Sequence, residues 1–272
     1  MPNPDWVLGG STWGFFVGDD RSDRASRLEA VRAIIDLGLG VEVWPTREFS
    51  DSDPSPTEIE QIREACAAAP FVSVHIRSRY WHWNPGELRE EIGLAASIGA
   101  STLVVHPICF GLVGPGDRFD AGEIARVAAD GVVVGVRIAL ENVRNSIWAL
   151  DRVLDAIGDD PEETNVGICV DVGHALLSSD AGDRPVRTYL ERYHSALVHL
   201  HLHDNGGVDD DHLVPGEGVL EWSRLVETLS ELEYVGSAAL EVQRSDGDAV
   251  CAIDYGVRFF RALSASGAKY DS

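Results

Sequence analysis

Val166–Gly218 reads VGICVDVGHALLSSDAGDRPVRTYLERYHSALVHLHLHDNGGVDDDHLVPGEG. Two apolar runs, Val166–Val170 and Ala196–Leu202, are too short for helices. They carry Asp171, His174, His201, Asp210, His212 and Glu217 at their ends or just past them. Short runs of nearly continuous apolar character read as strands buried on both faces of a parallel sheet. Strands that finish in carboxylates and imidazoles deliver ligands to a common site.

Working outward, the same unit recurs along the chain. Strands are expected at Trp6–Trp13, Val41–Trp44, Phe71–Ile76, Thr102–His106, Arg137–Asn142, Val166–Asp171, Ala196–His203 and Ala238–Val242. Between them, helical spacing of apolar residues marks Arg24–Leu37, Thr57 to about Ala69, Glu87–Ile98, a stretch from about Ala121, Ser146–Ile157, Val186–His194, Val219–Leu232 and Ala249–Leu263. Thr57, with Glu60 three residues on, is the expected cap of the second helix. Eight strands alternating with helices, without a compositional break, predict an α/β fold: a single (β/α)₈ barrel spanning 1–272. An open doubly wound sheet is the rival, but the first strand-to-helix turn, GGSTWGFFVG, lacks the GxGxxG spacing that dinucleotides need.

Composition narrows the classes. The 272 residues, 44% hydrophobic, suffice for a large core, and the formal net charge is -23. Lys269 is the only lysine. Acidic surface with little lysine reads as adaptation to high salt, as in halophiles. A phosphate backbone needs a basic footprint, so this balance argues against nucleic acid as a partner. In a salt-adapted proteome, where DNA-binding proteins are acidic too, that argument loses force. No apolar run is long enough for a membrane span, and the start, MPNPDWVLGG, lacks signal-peptide regions, so a cytoplasmic location is expected. Cys66, Cys109, Cys169 and Cys251 lack CxxC spacing and read as small buried hydrophobes.

In a barrel, polar residues at the carboxyl ends of strands converge. These are His75, His106, Glu141, Asp171, His174, His201, Asp210, His212 and Glu241, all imidazoles and carboxylates suited to a divalent ion such as zinc or manganese. A histidine alone at a strand end, such as His75 or His106, is more commonly a hydrogen-bonded core residue than a ligand. Glu141 in IALEN and Glu241 in AALEV are costly to bury unpaired, which a metal or a buried arginine would resolve. In DVGH, Gly173 is expected to allow a sharp turn that points His174 back into the mouth. In HLHLHD, His199, His201 and His203 share one face; three are too many for one layer, so two read as supporting groups. His82 and His194 read as surface residues. Tyr80, Trp81, Trp83, Trp13, Phe15 and Phe16 suit walls over a small pocket, a wedge into a duplex, or loop packing.

The sixth-strand DVGHA, the seventh-strand HLHD and the following HLVPGEGVLEW resemble signatures of the xylose-isomerase-like barrel superfamily. That superfamily groups sugar isomerases and epimerases with apurinic-site nucleases of the endonuclease IV type, and the resemblance covers essentially the whole chain. In the sugar branch it implies one divalent ion held by Glu141, Asp171, His201 and Glu241, with Glu141 and Glu241 as acid and base on a sugar or polyol. His174 would contact substrate hydroxyls, and Glu217 would support the ligands. In the nuclease branch it implies three zinc ions. His75, His106 and Glu141 would hold one, Glu141, Asp171, His201 and Glu241 a second, and His174, Asp210 and His212 a third. The segments HIRSRYWHW and HPICFGL depart from the nuclease pattern. The primary expectation is therefore a metal-dependent sugar or polyol isomerase or epimerase. An abasic-site phosphodiesterase, a dehydratase of the inosose type and a non-enzymatic binding barrel are the alternatives. Exposed aromatic loops in this superfamily also suggest a homo-oligomer.

Overall fold

Side chains alternate between the two faces of a strand, and in this chain the two faces have different chemistry. One face is branched and apolar: Val41 and Val43, Val72 and Val74, Leu103 and Val105, Ile138 and Leu140, Ile168 and Val170, Leu200 and Leu202, and Ala238 and Leu240 belong to the main core. The other face is small or polar: Glu42, Ser73 and His75, Val104, Ala139 and Glu141, Cys169 and Asp171, His199 and His201, and Ser237 and Ala239. A closed sheet, with helices outside and a narrow interior, buries both faces at once and suits one face of small or polar side chains.

The structure is a computed structural model that describes residues 6–16, 25–46, 52–77, 82–243 and 248–265. The strands are β1 Val7–Ser11, β2 Gly40–Val43, β3 Val72–His75, β4 Thr102–Val105, β5 Arg137–Glu141, β6 Val166–Asp171, β7 Leu197–Leu202 and β8 Ser237–Leu240. Each pairs in parallel with the next, and β1 pairs with β8 to close the barrel. Helices α1 Arg27–Asp36, α2 Pro56–Cys66, α3 Pro85–Ile98, α4 Ala121–Val134, α5 Ile147–Ile157, α6 Pro161–Thr164, α7 Val172–Leu176, α8 Pro185–Tyr193, α9 Trp222–Glu231 and α10 Ala249–Ala265 complete the α/β order. The expected (β/α)₈ barrel is the observed fold. Among the described residues, no helix is long and apolar enough to cross a membrane.

Local chemistry explains the element ends. Ser26 and Glu29 form a reciprocal capping box at the start of α1. α2 starts earlier than Thr57: Ser55 accepts from the Glu58 N–H, and Pro56 fills the first turn, where its missing N–H costs nothing. α9 begins at Trp222 rather than Val219, because the backbone of Leu220 is held by Asp204. Cys66, Cys109 and Cys169 are buried as expected, whereas Cys251 is exposed.

Inside the barrel, Val104, Ala139 and Cys169 form a small apolar group separate from the main core. Small side chains at these positions leave the width that the imidazoles of β7 occupy. His199 lies beside Cys169 and Ser237, and His201 beside Asp171 and Ala239. The three histidines therefore stack in successive layers, roughly 6.6 Å apart along the strand. All are fully buried. The objection that three cannot share a layer is answered by this stagger.

Candidate functional site

Glu141 closes β5, Asp171 closes β6, His201 lies in β7, and Glu241 follows β8; each is at most 3% exposed. His201 Nδ1 is 3.3 Å from Glu141 Oε1, 3.5 Å from Glu241 Oε2 and 3.7 Å from Asp171 Oδ2. Despite these three neighbours it makes no hydrogen bond. Its other nitrogen, Nε2, is 3.1 Å from Glu42 Oε2.

Two further groups adjoin this one. His75 Nε2 and His106 Nε2 lie 3.3 and 3.1 Å from Glu141 Oε2. On the other side, His174 Nε2 and His212 Nε2 lie 3.0 and 3.3 Å from Asp210 Oδ2. His203 Nε2 lies 3.0 and 3.1 Å from the two oxygens of Asp171. The ligand atoms of His75, His106 and Glu141 lie within 4.8 Å of one another, as do those of Glu141, Asp171 and His201, those of His203, Asp210 and His212, and those of Glu42, His199 and His201.

The tautomers follow from the partners, because a carbonyl oxygen only accepts. Nδ1 of His75 faces the Ile76 carbonyl at 3.0 Å, Nδ1 of His174 the Asn142 carbonyl at 2.9 Å, and Nδ1 of His212 the Glu241 carbonyl at 2.9 Å. Each must carry its proton on Nδ1. Each neutral ring then turns a lone pair toward a carboxylate oxygen, acceptor against acceptor. Only a proton or a cation between them makes such a pair favourable. Together with the unbonded His201 Nδ1, this donor set fits divalent metal ions.

Charge in the metal-free centre is balanced by protons. Burial pushes the Glu141 carboxyl up, but His201 and His106 outweigh it and hold it well below the carboxylate range. Asp171 is likewise raised by burial and lowered more by His174 and His203. Burial opposes charge on His201, but Cys169, Glu42, Glu141 and Glu241 hold its protonated form well above the usual imidazole range. His212 is pushed up to about 9, burial being outweighed by Asp210 and Glu241. A metal competes with these protons.

The mouth is flanked by tryptophans. Trp13 lies over His212 with ring centroids 4.1 Å apart, and Trp44 stacks on His75 at 3.8 Å with planes 10° apart. Trp83 instead packs edge-on against Phe110, and Phe16 is buried. Tyr80 and Trp81 lie outside the described residues.

Of the residues expected from sequence, His75, His106, Glu141, Asp171, His174, His201, Asp210, His212 and Glu241 come together. Glu217 does not: it is exposed, and its N–H bonds the Val214 carbonyl. Gly173 has no left-handed backbone and sits in α7. Its missing side chain serves another need, since a Cβ there would meet His203 Cε1 at 2.0 Å. Several contributors escape the sequence reading. Glu42 lies in GVEV on β2, inside an apolar run like those of Glu141 and Glu241, and the same argument would have found it. Asn142 bonds both ways with the Asp171 backbone, at 2.8 and 3.0 Å. Asp204, fully buried, gathers the loop that carries Asp210 and His212.

The family model described as xylose isomerase-like TIM barrel matches residues 31–263. An uncharacterised protein of Methanocaldococcus jannaschii is 32% identical over 123 residues, which are 44% of this chain and 40% of that protein. Another, from Sinorhizobium fredii, is 30% identical over 211 residues, covering 71% and 60%. The chain thus spans less than two thirds of the length of these two curated relatives. Fructoselysine 3-epimerase of Shigella flexneri is 33% identical over 58 residues, 21% of each chain. Among solved structures, a D-tagatose 3-epimerase-like protein superposes with a TM-score of 0.65 at 20% identity, covering 96% of this chain and 100% of that one. A Thermus thermophilus protein soaked with zinc chloride gives 0.64 at 24%, covering 97% and 100%. L-ribulose 3-epimerase gives 0.66 at 14%, covering 98% and 100%. At these identities the superpositions establish the shared barrel. With the family model matched over most of its length, this chain belongs to the xylose isomerase-like TIM barrel family.

Proposed function

We propose that the protein is a divalent-cation-dependent isomerase or epimerase acting on a small sugar or polyol. The observation that carries this reading is the unbonded His201 Nδ1 ringed by Glu141, Asp171 and Glu241. These four residues would hold the ion. When bound, the cation supplies Lewis acidity that polarises a substrate carbonyl and the neighbouring hydroxyl.

The protein's own groups do the rest. Glu141 and Glu241 reach the same point from β5 and from the end of β8, on either side of His201. One carboxylate takes the proton from the carbon beside the carbonyl, leaving an enediolate. The other returns a proton to the opposite face, which inverts the centre and balances the step. Each such transfer contributes about 10²–10⁴ in rate. His174 and His212, oriented by the Asn142 and Glu241 carbonyls, turn Nε2 toward Asp210, and with it would bind hydroxyls beyond the reacting carbon. Trp13 and Trp44 present apolar faces that cover a ring and exclude water.

A small neutral substrate suits the charge better than DNA does. The formal net charge is -23. Among the described residues, the arginines just after β3 and β5 are engaged: Arg77 bonds Asp53 and Glu91, and Arg144 bonds the carbonyls of Leu177 and Val208. The sugar epimerases among the structural neighbours and the short match to fructoselysine 3-epimerase support the same reading.

One observation favours a second reading. Glu141 belongs to two of the four ligand groups, and Asp171 contacts His203 of another, an adjacency that a three-cation centre for phosphodiester hydrolysis at abasic sites would require. Metal analysis of protein purified without chelator separates the two. The epimerase reading expects about one ion per chain, whereas about three zinc ions together with incision of an abasic duplex at high salt would replace it.

A further inference from the structure

Beneath the ligand group, Glu42 occupies the barrel axis with no exposed surface and, among its described partners, no arginine or lysine. Its partners are the Ser73 hydroxyl at 3.1 Å and His199 Nε2 at 3.2 Å, both on Oε2, and His201 Nε2, 3.1 Å from each oxygen. A buried carboxylate held by neutral groups and imidazoles, with no fixed cation, is expensive unless something else uses its charge.

We propose that Glu42 is a positioning residue: it holds the His201 ring with a proton on Nε2, so that Nδ1 is the nitrogen a divalent cation takes in exchange for a proton. This rests on the cation-dependent reading above. A carboxylate is acceptor only, so both imidazoles must bring an N–H to it. For His199 this is consistent with its other side, where the Ser237 hydroxyl, 2.7 Å from Nδ1, donates. For His201 it places the lone pair on the nitrogen that Glu141, Asp171 and Glu241 surround. An ionised partner on the far nitrogen also makes Nδ1 a more basic ligand. The ligand atoms of Glu42, His199 and His201 also lie within 4.8 Å of one another; through Glu42, β2 sets the one nitrogen donor of the group above.

The test uses metal-stripped protein and Co²⁺ as the probe. Glu42→Gln keeps the shape, removes the charge and presents an amide that can donate toward His201. Co²⁺ affinity should fall about 10- to 100-fold while the circular dichroism spectrum is unchanged. Independently, long-range ¹H–¹⁵N spectra of the Zn²⁺-loaded wild type should show His201 protonated at Nε2 and metal-bound at Nδ1. That readout stands even if the variant fails to fold, and a purely structural role would not produce it. Affinity within threefold of wild type in folded Glu42→Gln, or a His201 metal-bound through Nε2, overturns the proposal. Failure of the wild type to bind Co²⁺ at all overturns the cation-dependent reading itself.

Discussion

Replacing Asp204 by asparagine tests how the mouth is held together. Asp204 Oδ1 accepts the N–H groups of Asn205 and Leu220, each at 3.0 Å. Oδ2 accepts the Gly216 N–H at 3.0 Å and Trp222 Nε1–H at 2.8 Å. Its own backbone forms a two-way bridge with Leu213, both bonds at 2.8 Å. Residues 205–222, including Asp210 and His212, are thus gathered around one buried carboxylate. Asparagine keeps one accepting oxygen and turns an NH₂ group toward two donors. Two buried N–H groups lose their acceptor, at about 1–3 kcal/mol each, so the variant should lose about 2–6 kcal/mol. For a chain of this size that is a fall in Tm of roughly 5–20 °C, read by calorimetry. Gly218 abuts the same carboxylate, since a Cβ there would meet Asp204 Oδ1 at 2.2 Å, so the loop has little room to rearrange. At temperatures where Asp204→Asn is folded, turnover should still drop, because Asp210 and His212 ride on the loosened loop. A variant within 0.5 kcal/mol of wild type would refute this account of the loop.

Gly173→Ala should cost about 2–4 kcal/mol in denaturant unfolding, because the new methyl displaces the His203 ring from Asp171. Chelation should lower Tm by about 5–10 °C relative to protein with metal at a hundredfold excess over Kd, and adding Mn²⁺ or Zn²⁺ should restore it. In metal-free protein, His212 has a folded-state pKa of about 9, above its unfolded value. Its contribution is complete below about pH 6.5 and is lost as pH rises through about 9, worth at most about 3 kcal/mol. Urea unfolding at pH 6 and pH 9.5 measures it, and His212→Gln should flatten that difference.

Much of this molecule is legible from residue pattern alone. Eight short apolar runs, each followed by helical spacing, specify the barrel because parallel strands buried on both faces need crossover helices. The ligands are legible where a charged side chain interrupts an apolar run, as in IALEN and AALEV. Glu42 in GVEV obeys the same rule; it is obscured only because it precedes Trp44 rather than a polar loop. What escapes is whatever depends on closure. His199 and His203 are assigned to layers by strand stagger, which periodicity does not reveal. Asp204 reads as the end of HLHD, and only the folded loop shows four N–H groups converging on it. Gly173 reads as a turn residue, and only the neighbouring strand shows a ring packed in place of its side chain.

The most direct test of the proposed function is deuterium incorporation from D₂O into a ketose, followed by mass spectrometry with metal-loaded protein and a panel that includes tagatose, ribulose and fructoselysine. Wild type should place one deuterium on the carbon beside the carbonyl of at least one member. Glu141→Gln and Glu241→Gln, with unchanged circular dichroism, should each slow that exchange by about 10²–10⁴. Exchange retained in both variants, or absent from wild type across the panel, would contradict the two-carboxylate account.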